Sequence, residues 1–273
     1  MKPESYIFMT NKMRKLPGKC LAGAAILFIS ASLSAQKNLP SSIYEWKDIE
    51  TKNNYGVQVR KILSGKTRSL EMFEIKAFTL IGGYSVKDYT IKEGVDELFI
   101  IKEGSAVVTV NGRSERLGEG SIVVASQGDL IKVMNGAKNP MTFYTFKFKP
   151  YKYGNGEGAR ASLPLFKEWG DMEFLEKANG GRRDIMRQPT SGLKELEMHT
   201  TLLKEGLPSH SSHVHADEEI ILIRFGQVEE SINGKTFQCG PGSAIFLTND
   251  DDHGIRNAGS GPCEYYAIRW LTF

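Results

Sequence analysis

The 273-residue chain is short of cysteine, and its first half has no histidine. Of three cysteines, Cys20 lies ahead of an N-terminal apolar run, out of place for a lipid-modified cysteine at a cleavage site. Cys239 and Cys263 remain. An exported protein could join them as a disulfide. Otherwise they read as buried free thiols, since free cysteine behaves as a small core hydrophobe. The apolar run at residues 21–33 is too short to span a bilayer as a helix. A basic excess is also missing. The formal net charge of +3 comes from the N-terminus, because residues 36–273 hold 30 basic and 31 acidic side chains. Nothing in that balance suggests nucleic-acid binding, which needs a basic face. No glycine loop stands ahead of a helix to cradle phosphate, and no Gly-x-Ser-x-Gly elbow occurs.

What is present is a globular composition, 40% apolar and 25% charged. Arg14, Lys15 and Lys19, the apolar run and the small residues after it read as a secretory signal cleaved after Ala35, with Met1 or Met13 as the start. The protein is therefore expected to be exported, periplasmic or extracellular, with no stable membrane anchor after cleavage. Tyr44 and Trp46 are expected packing anchors in a short lead-in. From about residue 57 the chain alternates in short strands. Residues 107–110 followed by Asn111-Gly112 make a hairpin signal, and turns recur every 8–12 residues or so, as in a sandwich or barrel. Residues 151–163 read as a linker, and residues 165–174 as a short helix or turn that repeats the lead-in.

The pattern then returns. A shift of 122 residues aligns Glu97 with Glu219, Gly104 with Gly226, Asn111-Gly112 with Asn233-Gly234, Gly120 with Gly242, Asp129 with Asp251 and Asn135 with Asn257. In all there are 12 identities over the 48 positions from Glu97 to Tyr144. Most matches fall on turns, where glycine and asparagine supply unusual backbone angles. Two copies of one barrel follow.

All five histidines lie in the second copy. His213 and His215, two apart on extended chain, face the same side. Glu219 follows on the next strand, alternating with Ile221 and Ile223, and His253 arrives from a distant strand. In the first copy Ile91, Glu93 and Ile131 stand at the three histidine positions, and only Glu97 keeps its partner. Glu97 alone is too few ligands for a metal, so it reads as a structural hydrogen-bond acceptor or a leftover. His210 and His199 are candidate proton shuttles or hydrogen-bonding neighbours of the ligands. Arg269, with Lys147 as its repeat partner, is a candidate anion binder, with a solvated surface position preferred. Asp250-Asp251-Asp252 reads as an acidic turn, and Asp217-Glu218 and Glu229-Glu230 as solvent-facing pairs.

These residues resemble the cupin signature. His213-x-His215-x3-Glu219-x6-Gly226 matches its first motif, with Gly206 six rather than five residues before His213. Gly242, His253 and Asn257 keep the spacing of its second motif, with Thr248 and Asp250 where proline and glycine are usual. The resemblance spans residues 57–149 and 182–273. It implies an all-β chain of two tandem cupin barrels (double-stranded β-helix, or jelly roll). The expected divisions are a signal peptide at 1–35, a barrel without metal ligands at 36–150, a linker and lead-in at 151–181, and a metal-binding barrel at 182–273. It also implies one divalent transition metal (Mn, Fe, Zn, Ni, Co or Cu) on His213, His215, Glu219 and His253. Cupins include isomerases, hydrolases, dioxygenases and non-catalytic proteins. Two readings follow: a metal-dependent enzyme acting on a small polar metabolite, and a binding protein whose metal anchors a small molecule such as a sugar. A homodimer is compatible with both.

Overall fold

The computed structural model describes residues 37–154 and 163–273. The secretory leader expected over 1–35 and the centre of the expected linker lie outside the described residues. The described elements are β-strands apart from two single-turn 3-10 helices, Trp46–Asp48 and Trp169–Asp171.

The chain forms two barrels, each a seven-stranded sheet facing a smaller one. In the first, the large sheet runs in the order Leu165–Lys167, Ile122–Ser126, Asp96–Glu103, Met141–Pro150, Leu70–Leu80, Val57–Gly65, Thr51–Asn54. In the second the order is Ser42–Tyr44, Ala244–Leu247, Glu218–Phe225, Cys263–Leu271, Glu195–Leu203, Gly180–Gln188, Leu175–Lys177. The hairpin signals in the two copies close as expected. Asn111 and Asn233 both have φ 50°, and Gly112 and Gly234 have φ 88° and 76°, the left-handed pair of a type I′ turn.

The first strand of each large sheet comes from the other repeat. Ser42–Tyr44 pairs with Ala244–Leu247 of the second barrel, and Leu165–Lys167 pairs with Ile122–Ser126 of the first. The segment at 165–174 thus repeats the lead-in as a strand and a 3-10 turn. The tryptophan after each strand lands on a glycine of the receiving barrel. A Cβ at Gly120 would lie 2.5 Å from the Trp169 ring, and one at Gly242 2.8 Å from Trp46. Close approach and a positive φ of 90° and 86° both demand glycine there.

The large sheets are apolar on both faces. In Asp96–Glu103, Phe99 and Ile101 fill the first barrel, while Leu98 and Ile100 face the second. In the strand Leu70–Leu80, Phe73, Ile75 and Ala77 face the second barrel and Met72 and Phe78 pack inward. Each face of this strand keeps its own period of two. The core between the barrels includes Phe73, Phe148, Phe246 and Trp270, with the Phe73 and Trp270 rings 4.8 Å apart. Cys239 and Cys263 are free thiols inside the second barrel.

Two carboxylates close the seam. Glu218, expected in solvent, is 3% exposed. It accepts hydrogen bonds from Thr67 Oγ1 at 2.6 Å, from the Arg68 N–H at 2.8 Å, from the Ser69 N–H at 3.2 Å and from Ser69 Oγ. Its repeat partner Asp96 accepts from Thr190 Oγ1, the Gly192 N–H and the Tyr153 hydroxyl. Each barrel so caps a loop of the other. Glu218→Ala leaves buried donors unpaired, which costs about 3 kcal/mol. Urea unfolding of the variant checks this, and a loss below about 1 kcal/mol would show that the seam does not depend on Glu218.

Candidate metal centre

His213 and His253 are joined through their backbones. His213 N–H donates to the His253 carbonyl and His253 N–H to the His213 carbonyl, both at 3.0 Å. This pair ties the loop before Glu218–Phe225 to the small sheet Lys235–Cys239, Val228–Ile232, His253–Asn257. Val214 between the two loop histidines is exposed, so His213 and His215 face the pocket side together. Glu219 is one residue into its strand, and it shares the barrel interior with Ile221 and Ile223 as expected.

The three imidazoles offer ring nitrogens that all lie within 4.8 Å of one another. His215 Nδ1 lies 2.9 Å from the Asp217 carbonyl, and His253 Nδ1 2.9 Å from the Asp251 carbonyl. A carbonyl only accepts, so each Nδ1 carries a proton and each Nε2, aimed into the site, is the atom a metal would take. Those Nε2 atoms lie 2.9 Å and 3.5 Å from Glu219 Oε2. His253 Nε2 and His213 Nδ1 are buried without a hydrogen-bond partner among the described residues.

The electrostatics couple the carboxylate to the imidazoles: burial lowers the His253 pKa, but its contacts with Glu219 and the Asp251 carbonyl outweigh that and raise it. Burial opposes ionisation of Glu219, but His215 and His253 outweigh it and hold the carboxyl down at about 2. Burial and then three neighbouring imidazoles lower the pKa of His213, keeping its ring neutral. The fully buried carboxylate, the fixed tautomers and the orphaned ring nitrogens fit a divalent transition metal held by His213, His215, His253 and Glu219.

The centre opens into a cavity of about 540 Å³. Both sequence candidates line it. His199 is mostly buried and its Nδ1 lies 2.7 Å from Glu197 Oε1. That contact makes Nδ1 the donor and leaves Nε2 as the acceptor. His210 is exposed, bonds its neighbour's carbonyl at Ser211 (2.9 Å), and sets its ring against His213 at 4.4 Å between centroids.

Two expectations are corrected. Arg269 is not a solvated cation; it lines the cavity, and its Nε donates to Glu197 Oε2 at 3.2 Å. Cross-strand register puts Glu219, Arg269, Glu197 and Arg187 in one row of alternating charge. Glu230, expected in solvent, is 0% exposed. It lies on Val228–Ile232, where Val228, Glu230 and Ile232 alternate inward, and neither carboxyl oxygen has a protein partner among the described residues. Burial pushes its pKa up to about 8, so it is mostly a neutral acid at pH 7. The signal was legible: the repeat partner of Glu230 is Val108, a core residue of the first barrel.

Residues 199–269 match the family model of the cupin domain. The chain also superposes on solved structures of that fold. Protein Ylba from E. coli, described by the family model DUF861, is 16% identical over 88% of this chain and 95% of that one, with a TM-score of 0.69. AerE from Microcystis aeruginosa is 12% identical over 82% and 97%, with a TM-score of 0.64. Lactobacillus farciminis oxalate decarboxylase, in a formate complex, is 12% identical over 87% and 88%, with a TM-score of 0.67. No curated protein sequence matches the chain. The class is thereby defined: an all-β protein of tandem cupin jelly-roll barrels, whose second barrel carries the cupin-domain match.

In the first barrel Ile91 and Ile131 are buried in the core where His213 and His253 stand in the second. Glu97 remains, 1% exposed, with Oε1 accepting from the Tyr89 hydroxyl at 2.9 Å and standing 3.7 Å from Lys147 Nζ. Burial outweighs Lys147 and raises the Glu97 pKa to about 7. The folded chain so holds this proton more tightly than the unfolded chain. Its contribution to stability is full below about 4.5 and is lost as pH rises through about 7. Glu97→Gln removes that loss, and is expected to exceed the parent by roughly 2–3 kcal/mol above the window and to match it below. Urea unfolding at the two ends of the window checks this; a difference that does not change with pH would refute it.

Proposed function

We propose that the protein is an exported metal-dependent enzyme acting on a small anionic metabolite. The second barrel is its active site, and His213, His215, Glu219 and His253 hold one divalent transition metal. The first barrel, with Ile91 and Ile131 in place of two ligands, holds none. The observation that carries an enzyme over a metal-anchored binding protein is the company the ligands keep. The same cavity contains an unligated imidazole–carboxylate pair, His199–Glu197, and a buried neutral acid, Glu230. Groups positioned to take up and give back protons are what a catalytic site needs beyond its metal.

Roles follow from the contacts. Arg269 and Arg182 are both anchored on Glu197, and with Arg187 and Lys177 they make the cavity mouth cationic. They orient a carboxylate or similar anion. Glu197 fixes the His199 tautomer, so that His199 takes or returns a proton at Nε2. Glu230 can donate one from inside the barrel. A bound divalent metal would supply Lewis-acid polarisation of a substrate oxygen. Isomerisation, hydrolysis and oxygenation can all use such a set. Small carboxylic acids are the substrates to try first, oxalate among them.

The test is metal content by mass spectrometry alongside turnover of a carboxylic-acid panel. One transition metal per chain is expected, lost in His213→Ala and His253→Ala. His199→Gln should keep the metal and lower kcat about 100-fold. Turnover that survived chelation unchanged would overturn the proposal, and a full metal load with no turnover on any acid would move the binding-protein reading ahead.

A further inference from the structure

The first barrel lost its metal positions, yet its interior was not filled in. A cavity of about 240 Å³ remains beside Glu97 and Lys147, the repeat partners of Glu219 and Arg269, which line the cavity of the second barrel. It is lined in part by Glu97, Lys147, Lys76, Tyr89, Phe78 and Phe143.

The polar groups there keep the register of the metal barrel with the chemistry changed. Glu97, Lys147 and Glu74 lie in one cross-strand row, as Glu219, Arg269 and Glu197 do in the second barrel. Lys76 sits opposite Thr145, the place His199 holds opposite Ala267. Lys76 Nζ also bonds Glu74 at 2.8 Å, as His199 bonds Glu197. A vestigial pocket would drift toward apolar packing, because a buried carboxylate without full hydrogen bonding is costly. Here Glu97 is 1% exposed and its Oε2 has no partner among the described residues. Lys147 Nζ lies 3.7 Å from its Oε1, and Lys76 and the stacked rings of Phe78 and Phe143, 5.2 Å apart, line the same cavity.

We propose that this cavity is a second, metal-independent binding site for a small hydroxy- or amino-carboxylate. The ligand's carboxylate lies against Lys147 and Lys76, its hydroxyl or ammonium donates to Glu97 Oε2, and its apolar part rests on Phe78 and Phe143. The complementarity explains why a carboxylate and a lysine row both persist in a barrel with no metal ligands. It requires nothing of the second barrel and does not rest on the proposed enzyme activity.

Calorimetric titration of the full-length His253→Ala chain, treated with chelator, separates the two sites. The probes are L-lactate, L-mandelate, L-alanine and L-phenylalanine, with acetate as a carboxylate that has no adjacent donor. At least one hydroxy or amino acid is expected to bind with one site per chain, about tenfold or more tighter than acetate. Lys147→Met and Glu97→Gln should each weaken it about tenfold or more; circular dichroism confirms that each is folded, and Lys76→Met replaces Lys147→Met if that variant is not. The site is refuted if no probe binds the folded chain at millimolar concentration, or if binding is indifferent to the lysine and Glu97 changes. Binding seen in the parent chain and absent from His253→Ala would place it at the metal centre and refute the site equally.

Discussion

Two sheets that are apolar on both faces cannot each face water, and this constraint organises the molecule. Leu98, Ile100, Phe73 and Phe148 on one sheet and Ile220, Leu222, Phe246 and Trp270 on the other form one core between the barrels. Burial there removes apolar surface that neither barrel could cover alone. The exchanged lead-in strands and the reciprocal Asp96 and Glu218 caps follow from that docking. Each finishes a sheet edge or a loop that the apposed barrel presents. The pseudo-symmetry of the contacts matches that of the sequence. Tyr266 donates to the Gly120 carbonyl, and Tyr144 lies at the Gly242 carbonyl across the seam.

On this frame the interior of each barrel is free to differ. The rows Glu97–Lys147–Glu74 and Glu219–Arg269–Glu197 occupy equivalent strands. Yet one barrel sets histidines beside the row, and the other isoleucines and a second lysine. A scaffold held by its outer faces tolerates such changes within. Strand side chains alternate, so an inward substitution leaves the docked face untouched.

The candidate metal centre gains its rigidity from backbone rather than from side chains. The paired hydrogen bonds between His213 and His253 hold two ligands from distant parts of the chain at one spacing. The carbonyls of Asp217 and Asp251 set the ring tautomers. The acidic turn is part of this support: Asp251 accepts from Asn233, and Asp129 from Asn111 in the other copy. Preorganisation of this kind keeps ligand geometry independent of what enters the cavity.

Much of this was legible in the chain itself. The turn glycines and asparagines marked the repeat, because few residues tolerate those backbone angles. Period-two spacing placed His213 with His215, and Glu219 with Ile221 and Ile223, because alternation is a property of extended backbone alone. By itself, then, the sequence determined the strands, their turns, the duplication and the convergence of His213, His215, Glu219 and His253. Burial of particular charges was not legible, since it depends on what packs opposite. Glu218 is buried by residues 67–69 of the other barrel, and Arg269 turns inward because Glu197 waits on the adjacent strand. Glu230 sits where its own repeat has a valine, a local signal whose meaning needs the barrel wall around it. Only the tertiary structure decided which barrel each lead-in strand completes, which acids are enclosed, and which cations face the cavity. Those are matters of long-range apposition, and no local pattern encodes a partner more than a hundred residues away.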